Sequence, residues 1–500
     1  MTTRIIPSAL ANALSSRPTS VVYGLVLLNF TLRVLIFWSS RLFWFSDYEI
    51  YLRALGNIAA GNRQYLLEGN YLFLISYIGH YLSEVTGSLN SFFLLNCAAG
   101  ALTSLVIYHI TLRVSGIPAA GIMAVIIHIL YTEYMVFSSV FYTPVIMLLL
   151  VSLIILFTLR MAETDKRYEV FLSSLLILVL FLLTFFFKPE LRYLAPALIV
   201  LSVLSFRRFR TGALRLAMLA ILLFTGQLVL NVSGIISAPE GNVISNSFVF
   251  FGHTGYGGSG GEGSFIYDEN RERYEEAFEL FCDKRGITNP TTADYNEFQR
   301  LEIISFVTGQ PVKWVALQFR KLFRTFGIMP ESTSFRILYT GALQGREWLT
   351  AAVIVIPVVA VVTLFILLFS AETLRRLHLS ARERGQHTGA LSLRVILMFF
   401  LYYLVAAVFY GHYQERYRLT LMVLFIIPTL AIFVSNFDRS IFYKTGRLFI
   451  KGVVLLIFLT AWGTQAYKLI TDTERFPDEI RNLEQINQSP DHGTWNPFRN

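Results

Sequence analysis

Long apolar runs recur along this 500-residue chain and restrict its fold more than any other feature. Each run is close to the roughly 20 residues that a helix needs to cross a bilayer, and too long for a strand of a membrane barrel. Hydrophobic residues make up 54% of the chain and charged residues 15%, which excludes an ordinary soluble protein. The sequence predicts an all-α polytopic membrane protein with about eleven transmembrane helices. The expected spans are 20–39, 90–112, 117–136, 141–160, 169–187, 191–206, 213–232, 348–370, 394–410, 419–435 and 447–467.

Basic residues between the apolar runs predict the orientation of the chain. With a cytoplasmic N-terminus, most arginines and lysines of the short loops fall on the cytoplasmic side, among them Arg113, Arg208 and Arg376. We therefore expect a multi-pass protein of the inner (plasma) membrane with its C-terminus outside. The net charge of +9 then follows from topology and gives no reason to expect nucleic-acid binding. The first run has no small-residue cleavage site after it and is expected to remain as an anchor.

The polar stretches between the runs divide the chain into three regions. Residues 1–232 form an N-terminal transmembrane core, whose first outer loop, 40–88, contains a short apolar segment at Tyr71–Tyr81 that is expected to lie along the membrane surface. Residues 233–346 form an extracytoplasmic loop with a glycine-rich segment and an amphipathic helix, and two polar helices are expected between these at Glu269–Cys282 and Asp294–Val307. Residues 347–500 form a C-terminal transmembrane region and an outer tail.

Two carboxylates, Asp47 and Glu49, follow directly after the first apolar run. Carboxylates at this depth lose part of their hydration, so a chain has no folding reason to place two of them there. They are the candidate catalytic residues. The alternative is a charged stop at the end of a helix, for which lysine or arginine is the usual choice.

Two further charged clusters are expected on the same outer side as these carboxylates. Lys188-Pro189-Glu190-Leu191-Arg192 joins the fifth and sixth expected spans, and Glu415-Arg416-Tyr417-Arg418 precedes the tenth. Arginine binds phosphate in a bidentate way and stays charged, so these clusters are candidates for holding an anionic lipid head group. Simpler explanations remain open: a lysine–glutamate pair at a helix end, arginines that anchor a helix at the interface, and a tyrosine of the aromatic belt.

The outer loop opens with the glycine-rich stretch Gly252–Gly263, in which Gly255, Gly257 and Gly260 match the spacing of a dinucleotide-binding motif. No βαβ pattern surrounds the motif, so we reject that interpretation. A flexible hinge or lid is favoured over a loop that cradles phosphate. His253, beside the glycines, is a candidate supporting residue.

The loop closes with Pro311–Phe326, whose apolar residues recur at helical spacing. Proline in the first turn, an apolar stripe and a cationic side predict a helix that lies on the membrane surface. Lys321 and Arg324 are expected to face away from the stripe, where they could meet a lipid phosphate. The stripe consists of Val312, Val315, Phe319, Leu322, Phe323 and Phe326.

In their order along the chain these features resemble the GT-C superfamily of membrane glycosyltransferases. The similarity is closest to protein O-mannosyltransferases and lipid A aminoarabinose transferases. The matching features are Arg33, Asp47 with Glu49 and Tyr51, Tyr71–Gly79, Lys188-Pro189-Glu190, the long loop with its amphipathic helix, and Gln414–Arg418. The resemblance implies inverting transfer of a sugar from a polyprenyl phosphate to a lipid, glycan or protein acceptor, with Asp47 as the base and often without a metal. Two positions depart from the family: Thr420 stands where a proline is common, and Thr143-Pro144 where a Thr-Glu pair is often found, with Glu133 nearby.

Other functions remain open at the level of sequence. Asp47 and Glu49 could hold a divalent ion between them, although Cys97 and Cys282 offer no zinc spacing. A ligase or polymerase of lipid-linked glycans would use lipid-diphosphate donors instead. A transporter or flippase is the third class, and its usual paired repeats are not evident here.

Overall fold

The computed structural model of the chain is helical throughout the part that it describes, in which no strand occurs. The described residues are 18–39, 47–61, 74–187, 191–233, 249–257, 268–326, 338, 343, 346–368, 387–406, 408, 415–435, 451–460, 462 and 463. This confirms the all-α fold class.

Ten α-helices make up most of the described N-terminal part. They are α1 (Pro18–Ser39), α2 (Asp47–Ala59), α3 (Leu74–Thr86), α4 (Asn90–Ser115), α5 (Pro118–Leu130), α6 (Thr132–Val136), α7 (Pro144–Glu163), α8 (Arg167–Phe187), α9 (Leu194–Phe206) and α10 (Arg210–Val232). Their ends follow local rules. Helix α4 stops at Gly116, which has a φ of +66° that favours glycine, and the next helix starts at Pro118, where its missing N–H costs nothing.

The rest of the described chain adds three helices of the outer loop and five of the C-terminal region. They are α11 (Asp268–Arg285), α12 (Thr292–Gly309), α13 (Pro311–Thr325), α14 (Glu347–Leu368), α15 (His387–Val405), α16 (Glu415–Leu421), α17 (Ile427–Ser435) and α18 (Lys451–Thr460). A π-helical stretch, Met422–Ile426, joins α16 to α17. The expected helices of the outer loop thus form within a few residues of their predicted bounds.

Five of the described helices, α1, α4, α7, α8 and α10, are long and apolar enough to cross a membrane. The number becomes six if α5 and α6, which meet at a bend of 66°, count as one span. The other expected spans coincide with helices whose described apolar parts are 10–17 residues long. The helices of a membrane protein are therefore present, and the count of eleven spans stays a prediction.

Helix α7 lies at the centre of the described bundle, where it packs against α4, α8, α10 and α15. Its core positions, including Val151, Ile154 and Leu159, are buried. Helices α9 and α10 pack closely against each other and leave apolar side chains such as Leu204 and Met218 exposed on their other faces. Such faces suit contact with lipid, because they are as apolar as the core that they surround.

One polar cluster ties the N-terminal and C-terminal regions together at the end of α7. Glu163 accepts a hydrogen bond from Arg113 of α4 at 2.6 Å and another from the hydroxyl of Ser392 in α15. Helix α17 also packs against α5 and α4. Regions 1–232 and 347–500 therefore share one core in the described structure.

The segment Tyr71–Tyr81, expected to lie along the membrane surface, contributes to α3. Its described part packs within the protein against α2 and α4, with Ile75 and Ser76 fully buried. Gly79 allows this close packing, because a Cβ there would lie 3.0 Å from Leu55 of α2 and 2.7 Å from the ring of Phe141. Tyr81 remains exposed on the outer side of the helix.

Candidate functional site

The third expected span is broken in its middle by polar residues. Helix α5 ends at Leu130, Tyr131 leaves the helical conformation, and α6 starts at Thr132 with a change of direction of 66°. Glu133 and Tyr134 in this short helix are both fully buried. Irregular backbone within an apolar span frees peptide groups that need new hydrogen bonds, so such breaks occur where protein or a cavity surrounds them.

An ion pair between Glu133 and Arg418 lies at this break. An Arg418 Nη donates to one carboxylate oxygen of Glu133, and the hydroxyl of Tyr131 donates to the other. Arg418 is 1% exposed and Glu133 0%. Arg418 therefore points into the protein, whereas an interface anchor would extend its charged end towards water. The pair connects α16 with α6, which are 285 residues apart in sequence.

A second buried arginine, Arg33 of α1, contacts the same break. Its Nη1 donates to the backbone oxygen of Tyr134 at 3.2 Å and to the hydroxyl of Ser138 at 2.5 Å, and its guanidinium lies 4.4 Å from the ring centre of Tyr134. Gly100 of α4 makes room for it, since a Cβ at that position would overlap the guanidinium. Arg33 thus replaces hydrogen bonds that the broken span has lost.

A chain of polar side chains runs from Arg33 into α4 and α5. Arg33 Nε donates to Asn29 Oδ1 at 3.0 Å, and Asn29 Nδ2 donates to Ser104 Oγ at 2.5 Å. Ser104 Oγ lies 2.8 Å from His128 Nδ1. His128 is thus hydrogen-bonded inside the bundle, as expected for a packed histidine. Asn96 of α4 adds a bond from its Nδ2 to Val140 O at 3.0 Å, directly after the break.

One cation of the amphipathic helix α13 lies in other surroundings than expected, while part of the apolar stripe is exposed as a helix on a membrane surface requires. Val312 and Phe319 of the apolar stripe are exposed by 81% and 55%, while Lys321 is fully buried. Its Nζ donates to Gly252 O at 2.8 Å, at the start of the glycine-rich stretch. The prediction that Lys321 lies on an exposed cationic side is therefore wrong. The helix has a third, protein-facing side, and a lysine can be buried there because its long side chain reaches a backbone oxygen.

Loss of water around Lys321 has an electrostatic consequence. Burial lowers the pKa of Lys321 from its usual 10.5 to about 7, because the charged form loses its hydration. Beside it, Trp314 Nε1 donates to His253 Nδ1 at 3.1 Å, so the candidate His253 contacts α13. The first turn of the glycine-rich stretch is thereby held against the helix by Lys321 and Trp314.

The remaining predicted site residues are only partly described. Arg192 is half-buried in the turn that precedes α9. Asp47 and Glu49 lie in the first turn of α2, and Glu415, Arg416 and Tyr417 in that of α16, but their side chains lie outside the described part. The same holds for the side chain of Arg324 and for the whole of Lys188 and Glu190. Among the described residues no group of three or more histidine, cysteine, aspartate or glutamate side chains could hold a metal ion.

Sequence analysis gave no role to Tyr131, Asn29 or Asn96 and named Glu133 only as a neighbour of the expected motif. A signal was present, because Tyr131-Thr132-Glu133 interrupts an apolar run in which a carboxylate is costly. Three fully buried charged side chains of the described part lie at the break: the cations Arg33 and Arg418 and one carboxylate, Glu133. The buried charges that the structure describes at the break are therefore positive in excess and favour an anionic ligand.

Comparison with known proteins adds no family to this description. No family model matches the sequence, and no curated protein matches it at a significant level. The resemblance to GT-C transferases therefore rests on the motifs quoted above and on their order along the chain.

Proposed function

We propose that this chain is an integral membrane glycosyltransferase of the GT-C type. It would move a sugar from a polyprenyl-phosphate donor to an extracytoplasmic lipid, polysaccharide or protein, with inversion at the anomeric carbon. The observation that carries the proposal is the buried ion pair between Arg418 and Glu133. It connects the Arg416-Tyr417-Arg418 motif with the break in the third expected span.

The energetics of this ion pair support a functional role. Burying two charges costs several kcal/mol of hydration per ion, and a well-packed apolar pair is often as stable. If the contact served only to hold α16 against α6, apolar residues at these two positions would do so without that cost. Glu133 fixes the position of the Arg418 guanidinium, and this charged planar group is the one that binds phosphate best among protein side chains.

The reaction assigns roles to the predicted catalytic and phosphate-binding residues. Asp47 accepts the proton of the acceptor hydroxyl, whose oxygen forms a bond with the anomeric carbon on the face opposite the phosphate. The bond between this carbon and the phosphate oxygen breaks, and its electrons leave with polyprenyl monophosphate. Arg416 and Arg418 stabilise the negative charge of the leaving phosphate, with Lys188 and Arg192 as further cations. Glu49 supports Asp47 or, together with it, holds a divalent ion.

The activity can be tested with the purified protein in detergent and a polyprenyl-phosphate sugar. Release of polyprenyl monophosphate is expected, and Asp47→Asn should reduce it by about a hundred- to ten-thousand-fold. Glu49→Gln is the matched control, and a larger loss there would move the role of base to Glu49. An Asp47→Asn variant that turns over at the parent rate would refute the assignment, and release of diphosphate would favour a ligase.

Mass spectrometry of cell-envelope lipids and glycans with and without the gene would identify the acceptor.

The proposal includes the topology of eleven spans with a cytoplasmic N-terminus. A chain whose Cys97 and Cys282 are replaced by alanine gives a background for single cysteines. In intact cells an impermeant thiol reagent should label Glu262→Cys and should leave Ser380→Cys unlabelled, because the two loops lie on opposite sides. Labelling of Ser380→Cys would place the proposed site on the wrong side of the membrane.

A transporter for an anionic lipid is the second candidate, and the broken span favours it. Transporters often bind substrate where a discontinuous helix exposes polar backbone within the bilayer, and α5 and α6 form such a pair. The two candidates differ in outcome. Proteoliposomes that move a polyprenyl-phosphate sugar between leaflets without releasing its phosphate would support the transporter and refute the transferase.

A further inference from the structure

The break in the third span is surrounded by buried polar atoms that have no hydrogen-bond partner in the described structure. They are Arg33 Nη2, Asn96 Oδ1 and Ser139 Oγ. All three side chains are at most 2% exposed. Native proteins satisfy nearly all such groups, because each unsatisfied one loses its bonds to water and gains nothing in return. Three of them around one turn point to a ligand.

The hydrogen bonds that these residues do make place them around a single turn of the chain. Arg33 Nη1 bonds to Ser138, next to Ser139, and Asn96 Nδ2 bonds to Val140 O on its other side. Asn96 also lies one helical turn before Gly100, against which the Arg33 guanidinium packs. The turn 138–140 is thus contacted from α1 by an arginine and from α4 by an asparagine.

The chemistry of the three atoms restricts the ligand. Arg33 Nη2 donates hydrogen bonds, and the Ser139 hydroxyl can donate one, so both suit an anionic oxygen. Asn96 has its Nδ2 bonded to Val140, which leaves Oδ1 as an acceptor that needs a proton donor. A carboxylate only accepts, whereas a phosphate monoester with a second pKa near 6 keeps a proton in part of its population and can do both.

The charges around the two buried arginines also favour an anionic ligand at Arg33. Glu133 is paired with Arg418, whereas every contact of Arg33 is with neutral groups: Asn29, Ser138, the ring of Tyr134 and its backbone oxygen. A guanidinium inside an apolar bundle with only neutral neighbours attracts an anion more strongly than one that already faces a carboxylate. Arg33 is therefore the better-placed phosphate ligand of the two buried arginines.

We infer that Arg33, Ser139 and Asn96 form a buried binding site for a phosphate monoester at the break of the third span. The choice of a lipid-linked phosphate over free phosphate rests on the proposed function; the site itself does not. In the proposed transferase, the group held here is the phosphate of the polyprenyl monophosphate that the reaction releases, because the phosphate of the sugar-linked donor is a diester. Arg418, paired with Glu133 at the same break, supplies the second cation.

Binding can be measured by native mass spectrometry on the full-length protein in detergent, with thermal stability as a second readout. The probes are polyprenyl monophosphate, the corresponding polyprenol and inorganic phosphate. We expect the wild type to bind the lipid phosphate at least tenfold more tightly than the polyprenol. Competition by inorganic phosphate at millimolar concentration would show that the site takes phosphate from either source, and a lack of competition that it requires the lipid.

Two variants separate binding from folding. Ser139→Ala removes a hydroxyl that makes no hydrogen bond, so the free protein should be as stable as the wild type or more stable, yet bind the lipid phosphate several-fold more weakly. Gly100→Ala adds a Cβ that displaces the Arg33 guanidinium and should weaken binding at least tenfold. Gly24→Ala is the matched control on α1, because its Cβ would meet nothing within 4 Å.

The inference is overturned if the wild type binds polyprenol as tightly as polyprenyl phosphate, or if Ser139→Ala and Gly100→Ala bind like Gly24→Ala. Its failure is distinguishable from that of the proposed function. A protein that releases polyprenyl monophosphate but binds it independently of these residues refutes the site alone. A protein whose phosphate binding depends on Ser139 and Gly100 but that turns over no donor refutes the transferase alone.

Discussion

The buried lysine of the outer loop makes the docking of α13 dependent on pH. Lys321 has a pKa of about 7 in the folded chain against 10.5 for an ordinary lysine. Between these two values the unfolded chain binds a proton that the folded chain does not. Stability of the docked helix must therefore rise with pH in this window and stay constant below it.

The size of the effect follows from the two pKa values. Within this window, raising the pH by one unit increases the stability of the docked helix by up to about 1.4 kcal/mol. Between pH 6 and pH 9 the docked state of α13 should gain about 2–3 kcal/mol, because titration of the folded lysine near pH 7 removes part of the full effect. Lys321→Met keeps the length of the side chain and removes the titrating group, so this gain should disappear.

Hydrogen exchange of residues 311–325 at pH 6 and pH 9, corrected for intrinsic exchange rates, measures the docking free energy directly. Lys313→Met is the matched control, since Lys313 is an exposed lysine of the same helix. It should keep the pH dependence of the wild type. A Lys321→Met variant that gains as much protection at pH 9 as the wild type would show that another group titrates and that the burial of Lys321 is not the cause.

Three further predictions concern stability and can be checked by thermal or chemical unfolding in detergent. Glu133→Gln and Arg418→Met should each cost about 3–5 kcal/mol, because each leaves its partner's charge buried. The double variant should cost clearly less than their sum, and additive losses would argue against a direct pair. Glu163→Gln should cost about 1–3 kcal/mol by weakening its bonds to α4 and α15, and an unchanged unfolding midpoint would contradict that contact. Thr291→Ala removes the cap of α12, where Thr291 and Asp294 bond at 2.6 Å, and should cost about 1 kcal/mol with increased exchange confined to that helix.

Local patterns were enough to predict the helices, because each depends on residues close in sequence. The apolar runs predicted spans at 90–112 and 117–136, and the structure ends the first of these helices at Ser115 and starts the next at Pro118. The pairing of Glu133 with Arg418 could not be predicted from local patterns, since nothing near either residue specifies a partner 285 positions away. The burial of Lys321 was missed for a related reason: the periodicity of α13 identifies its apolar stripe, but a second face with Gln318, Lys321 and Thr325 docks on the protein.

The distance in sequence between Glu133 and Arg418 also affects how the protein is assembled. Helices α1 and α4, which provide Arg33 and Asn96 to the broken span, are synthesised before it and can satisfy its backbone as it enters the membrane. Arg418 follows 285 residues later, roughly 15 to 60 s at ordinary rates of translation. Until then the partner of the Glu133 carboxylate, among the described residues, is the hydroxyl of Tyr131. The last third of the chain therefore supplies the ion-pair partner of a carboxylate in the first. A truncated product that ends before α16 would bury Glu133 without that partner and be a natural target for membrane quality control.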